Sequence, residues 1–90
     1  MVYRVFYTKN ALSDLSRLQK RIAKRIVDKI AFFRQQQDPL HFAKKLKNMR
    51  DAPYRFRIGN YRAFFDIDKK GRIHVLMILR IKDRKDAYND

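Results

Sequence analysis

YRFRIGNYRAFF, residues 54–65, is the stretch whose reading decides the fold. Aromatic or aliphatic residues alternate with arginine on either side of a two-residue Gly-Asn turn, the pattern of a β-hairpin. With Ile58 and Tyr61 flanking the turn, the next pair across the ladder is Arg57 with Arg62. Like charges directly opposite each other destabilise a strand pair. The juxtaposition therefore needs a compensating reason.

Downstream, the same alternation predicts strands over 54–58, 61–67 and about 72–82. Lys69-Lys70-Gly71 reads as a three-residue loop with Gly71 left-handed, which sets Asp68 opposite Arg72 and Asp66 opposite His74. A four-residue loop would shift the register by one and lose both complementary pairs, so the first register is preferred. It gathers Arg62, Asp66, His74, Ile78, Arg80 and Lys82 on one sheet face with Arg55 and Arg57. Tyr54, Phe56, Tyr61, Ala63, Phe65, Val75, Met77 and Leu79 then share the other face, which must be covered.

The cover comes from upstream. VYRVFY, residues 2–7, alternates and is rich in β-formers, so it predicts a first strand. Thr8 can cap a helix beginning near Lys9, with Leu12, Leu15 and Leu18 at helical spacing. A second helix is expected from Gln19 or Lys20 to Gln36, where Ile22, Ile26 and Ile30, with Ala23, Val27 and Ala31, form an apolar stripe. Lys20, Arg21, Lys24, Arg25 and Lys29 lie mainly off it and read as a solvated helix face. Asp38-Pro39 ends the helix. The form of the basic connection LHFAKKLKNMRDAP stays open; a helical turn with Leu40, Phe42 and Leu46 tucked in is one form it allows. The expected architecture is α+β: one domain over residues 1–90, two N-terminal helices packed on one face of a small, mainly antiparallel β-sheet.

Composition narrows the function. Ninety residues hold a single core, and 46% hydrophobic content supports folding although 36% of residues are charged. Cysteine is absent, which excludes a disulfide framework and thiolate metal sites and points to a reducing compartment, the cytoplasm. The two histidines, His41 and His74, are far apart in sequence, so no metal or other cofactor is expected. MVYRVFYTKN lacks the apolar segment of a signal peptide, and no run approaches transmembrane length. Lysine and arginine number 23 against 9 acids, a net charge of +14. That excess favours a polyanionic partner: nucleic acid first, an acidic protein second, a membrane surface third.

The arginines now have a reading. Arg55, Arg57, Arg62, Arg80 and Lys82 share one expected face on which only Asp66 offers compensation. Repulsion of this kind persists where a ligand anion relieves it, and planar guanidinium forks suit phosphate. Arg57 opposite Arg62 looks like half of a phosphate site.

At these residues the chain resembles a known family. The order strand, two helices, KKLK, YRFRIGNYRAFFDID, RIHVLMILRIKDRKDAY is similar to the RelE/ParE toxin superfamily, and within it to RelE-type messenger-RNA interferases. The resemblance covers essentially the whole chain; its elements are the Y-[RK]-x-[RK]-x-G-x-Y-R hairpin, the aromatic pair after it, the D-x-x-G turn and the basic-R-x-x-x-Y signature at 82–88. It implies a small α+β toxin that binds the ribosomal A site and cleaves messenger RNA there without a metal. The ribose 2′-hydroxyl attacks the adjacent phosphate and leaves a cyclic phosphate. It also implies neutralisation by an acidic antitoxin, in a toxin–antitoxin hetero-oligomer, and no membrane partner.

Carried over by position, Arg55 and Arg57 match the paired basic residues before the turn. Arg62 matches the arginine that stabilises the phosphate's developing charge. Lys82 stands where a basic residue assists the leaving 5′-oxygen, and Tyr88 where a tyrosine stacks on or orients the substrate. Arg80 and Arg84 fit further phosphate contacts, and Lys45 and Lys47 a basic patch against ribosomal RNA. The chain departs from relatives that carry lysines at 55 and 57 or a histidine before the arginine at 84, where it has Asp83. Arginine gives up its proton poorly, with a pKa above about 12. Catalysis is therefore expected to lean on electrostatic stabilisation and positioning, with Lys82 as proton donor and Tyr88 a base only if its pKa falls. Two other functions suit the same fold: a ParE-type poison of DNA gyrase, and a non-catalytic nucleic-acid-binding module.

Overall fold

Thr8 joins the first strand to the first helix and ties both to the far end of the chain. In the computed structural model, which describes residues 2–47 and 52–87, its amide donates to Ile78 O at 2.9 Å. Its hydroxyl accepts from Ala11 N at 3.2 Å and donates to Leu79 O at 2.9 Å. The expected cap is thus present, and it also meets a backbone carbonyl that strand pairing leaves over.

The elements are β1 (Val2–Tyr7), α1 (Lys9–Ser16), α2 (Lys20–Gln35), a 3-10 turn (Pro39–Phe42), β2 (Ala43–Lys45), β3 (Tyr54–Ile58), β4 (Tyr61–Lys70), β5 (Ile73–Asp83) and α3 (Arg84–Ala87). The sheet order is β1-β5-β4-β3-β2. β1 runs parallel to β5, and the other pairings are antiparallel. α1 and α2 cover one face, as expected. Ala11, Leu15, Ile26, Ile30 and Phe33 meet Phe56, Ile58, Ala63, Phe65, Leu76, Ile78 and Ile81 in the main core. Through that core runs a column of near-parallel rings, Phe42–Phe33–Phe56–Phe65–Tyr54, with neighbouring centroids 4.3 to 5.5 Å apart.

The connection after α2 is more regular than its sequence suggests. Asp38 accepts from Leu40 N to start the 3-10 turn, and Ala43–Lys45 adds an edge strand to β3. Leu40 packs on the core, but Phe42 stays 41% exposed rather than tucked in. Leu12 is 55% exposed, and α1 stops at Ser16, short of Leu18.

The β4–β5 hairpin corrects the expected register. Its turn has two residues, Gly71 and Arg72, so Lys70 pairs with Ile73, Asp68 with Val75 and Asp66 with Met77. Neither Asp68–Arg72 nor Asp66–His74 forms. His74 instead lies on the helix side, 7% exposed, with its ring edge-on to Tyr3 at 5.4 Å. Ile78 also faces the helices, while Val75, Met77 and Leu79 alternate to the other side. Burial decides this. A fully buried Leu76 or Ile78 contributes about 1.5–3 kcal/mol, whereas a cross-strand charge pair contributes about 0.2–1 kcal/mol. A bulge at Phe64/Phe65 then inserts Leu79, and beyond it Phe64 pairs with Arg80, Ala63 with Ile81 and Arg62 with Lys82. The extra residue restores the expected parity where the cations are.

Candidate nucleic-acid interface

The hairpin at 54–65 forms as read, with Ile58 opposite Tyr61 and Arg57 opposite Arg62. Gly59 has φ +58° and no other described residue except Gly71 has positive φ, the signature of a type II′ turn with glycine first. Since Arg62 also pairs with Lys82, three cations stand side by side: Arg57, Arg62, Lys82. The adjacent row is Lys44, Arg55, Phe64, Arg80. Directly opposed residues share a face with Cβ atoms about 4.5–5.5 Å apart. The outer face of the sheet thus carries two rows of positive charge around one aromatic ring. Leu46, Ala52 and Leu79 pack on Phe64 there, and Leu46 N donates to Pro53 O to hold the fold-back.

Arg62, read from the sequence as one half of a phosphate site, lies buried between Arg57 and Lys82. It is 3% exposed. Its Nη1 donates to Gly59 O at 3.0 Å and Tyr61 O at 2.9 Å, so the side chain braces the turn that positions it. Its Nε is buried with no partner among the described residues. A buried donor left unpaired is costly, and an anionic oxygen would satisfy it.

Arg80 is compensated, contrary to the expectation that only Asp66 opposes the cations. Asp14 of α1 accepts from Arg80 Nε at 2.8 Å and from Nη2 at 3.1 Å. The same carboxylate accepts from Ile81 N at 2.9 Å. β1 pairs with β5 only as far as Ile78, so α1 supplies the partners that a longer strand would have given. Burial pushes the Asp14 carboxyl up, but the bonds from Arg80 and Ile81 and the charges of Arg80 and Arg17 outweigh it and hold it below the ordinary aspartate range. Asp66 is spent locally, accepting from Ile67 N. A cleft of about 510 Å³ lies at this end, with Asp14, Tyr61, Arg80 and Lys82 on its walls.

A family model described as the ParE toxin of the type II toxin–antitoxin system parDE matches residues 5–88. The chain belongs to this toxin family. It is 33% identical over 88 residues to toxin RelG of Mycobacterium tuberculosis, covering 98% of each chain. The toxin also superposes on the RelBE2 toxin–antitoxin complex of M. tuberculosis with TM-score 0.72 and 31% identity, over 93% of this chain and 100% of that one. Against the archaeal RelE–RelB complex of Pyrococcus horikoshii the TM-score is 0.66 at 28% identity, over 93% and 97%.

The remaining candidate residues of the toxin divide. Arg84 is exposed, and its amide donates to Asn60 O at 2.7 Å, which holds the start of α3 beside the hairpin turn. Tyr88 lies outside the described residues. Lys47 is exposed next to β2, but Lys45 pairs with Tyr54, so it belongs to the helix-side parity; Lys44, unmarked in the sequence reading, is the lysine in the cation rows. Asp14 was also missed. Its signal is a lone acid beside the buried Ala11–Leu15 stripe of α1, a place where an unpaired carboxylate would be costly. Among the described residues no group of three His, Asp or Glu side chains is arranged to hold a metal ion, and no helix is long and apolar enough to cross a membrane.

Proposed function

We propose that this toxin is a ribosome-dependent endoribonuclease that cleaves messenger RNA in the ribosomal A site and is held inactive by an acidic antitoxin. The observation that carries the reading is the row Arg57–Arg62–Lys82 with the unpaired, buried Nε of Arg62 at its middle. Three cations opposed across three strands offer charge-assisted hydrogen bonds to a bound phosphodiester. The likeness to RelG and to two chains solved in toxin–antitoxin complexes supports a toxin with an antitoxin partner.

In this mechanism Arg55 and Arg57 draw the phosphate to the sheet. The ribose 2′-hydroxyl passes its proton to water as its oxygen attacks phosphorus, and charge grows on the non-bridging oxygens, where the Arg62 guanidinium stabilises it. Lys82 protonates the departing 5′-oxygen, leaving a 2′,3′-cyclic phosphate and a 5′-hydroxyl. Tyr88 orients the base, and Arg80 and Arg84 hold flanking phosphates. Lys44, in the cation rows, and Lys47 contact ribosomal RNA, with Lys45 at the neighbouring strand edge. His74 takes no part, since it faces the helices. Removing one such stabilising contact typically costs about 10²- to 10³-fold in rate. Arg62→Ala should therefore slow single-turnover cleavage on saturated ribosomes by that factor with a modest change in affinity.

The family model's ParE description supports a second reading, poisoning of DNA gyrase. Primer extension after brief induction separates the two. Cuts within translated codons support the nuclease; DNA damage without cuts would replace it with gyrase poisoning.

A further inference from the structure

A second basic surface lies on the other side of the molecule. Helix α2 turns Ile26, Ile30 and Phe33 inward. Its opposite face carries Arg21, Lys24, Arg25, Asp28, Lys29 and Phe32, which together line one shallow depression. Four cations face one acid there, and that acid is taken by Lys24 at 2.7 Å. Lys20 with Lys24, Arg21 with Arg25, and Arg25 with Lys29 are like-charge pairs at i,i+4, each destabilising a helix by about 0.2–0.5 kcal/mol. Lys20 and Arg21 also occupy the first turn, where no acid stands and where the helix dipole disfavours cations. A merely solvated face would not need this arrangement.

At the end of the same face two aromatic rings are open to solvent. Phe32 is 46% exposed and Phe42 41%. Phe42 terminates the five-ring column of the core, stacked on Phe33 at 5.2 Å and 25°. Phe32 stands 6.3 Å from it, and the Lys29 ammonium lies 5.0 Å from the Phe32 centroid. Rigid rings anchored in a core and flanked by cations form the platform that single-stranded nucleic acid uses, with phosphates along the charges and a base on the ring. A docked protein helix would instead want apolar anchors at successive turns, and this face offers charges at those turns.

We infer that the outward face of α2 and the 3-10 turn after it form a second RNA-binding surface, taking unpaired nucleotides through Arg21, Lys24, Arg25 and Lys29 and stacking a base on Phe32 or Phe42. The sheet separates this surface from the cation rows, so the toxin would be held between two RNA segments. The inference rests on the RNA reading above for the nature of the polyanion, and not on cleavage.

The test is a nuclear magnetic resonance titration of the isotope-labelled toxin with a single-stranded 2′-O-methyl RNA oligonucleotide, which lacks the attacking hydroxyl and stays intact. Amide shifts are expected at residues 21–32 and 41–42 as well as on the sheet. Lys24→Glu with Arg25→Glu should weaken binding and flatten its salt dependence. Phe32→Ser should weaken it by about tenfold, the scale of one lost base stack, with the salt dependence kept and the melting temperature unchanged. Shifts confined to the sheet, with parental affinity in both variants, would overturn the inference and leave the cleavage site standing. Equal binding of a matched duplex, or displacement of no RNA signal but capture of a polyglutamate peptide at α2, would also overturn it. Binding at α2 by a toxin that never cuts messenger RNA on ribosomes would support it and remove the nuclease reading instead.

Discussion

The two hairpins of the sheet are built on the same turn and read with opposite success. In β3–β4 the chain turns through Gly59-Asn60, and in β4–β5 through Gly71-Arg72, with φ of +58° and +60° at the glycines. The first register follows from the turn and the apolar alternation alone. Read as a three-residue loop chosen over a four-residue one for the pairs Asp66–His74 and Asp68–Arg72, the second takes a register that the structure does not form. Gly-Asn and Gly-Arg call for the same two-residue connection. Applied consistently, the turn rule would have put Leu76 and Ile78 in the core. Turn chemistry and burial outrank charge pairing when they disagree.

The comparison breaks first at Ile78, which is fully buried opposite Phe65. Ile78→Ala should cost about 2–5 kcal/mol in chemical denaturation, whereas Asp66→Asn, on the exposed side, should stay within about 0.5 kcal/mol. Comparable costs at the two positions would restore the discarded register.

A smaller effect is expected where α1 completes the edge of β5. Asp14→Asn removes the charge that holds Arg80 and weakens the bond from Ile81 N, for about 1–2 kcal/mol. Because the folded carboxyl lies below the ordinary range, its contribution is complete above the unfolded value of about 4 and is lost as pH falls through the folded value. Melting curves of parent and variant should therefore differ most near neutrality and converge in acid. A gap that stayed constant to low pH would mean that the ion pair contributes nothing.

The turns themselves are predicted to be equivalent. A Cβ on Gly59 or Gly71 would meet no atom within 4 Å, so alanine at either costs only the left-handed backbone, about 1–2 kcal/mol. Melting temperatures should fall alike; a much larger fall at one would show that the turns differ in more than sequence. Least of all, Arg57→Gln should leave stability unchanged or slightly raised by relieving repulsion with Arg62. A clear drop in melting temperature would make that arginine structural.

Local information determined a good deal of this protein. Two-residue alternation located β1, β3, β4 and β5, a threonine before an apolar periodicity located α1, and Asp38-Pro39 closed α2, because each signal lies within a few residues of the element it specifies. The opposition of Arg57 and Arg62 was legible for the same reason: only a two-residue turn separates their strands. Tertiary structure alone decided what depends on distant partners. Alternation states that side chains change face at every residue, but not where the alternation slips, and the bulge at Phe64/Phe65 returns Arg80 and Lys82 to the outer face after the two-residue turn has set His74, Leu76 and Ile78 against the helices. The strand Ala43–Lys45 exists because β3 offers it an edge, and it brings Lys44 rather than Lys45 to Arg55. Asp14 meets Arg80 across 66 residues of chain, and Arg62 is drawn down onto its own turn. Those contacts follow from where β5 outruns β1 and how tightly the hairpin closes, and neither is written in any stretch short enough to be read by itself.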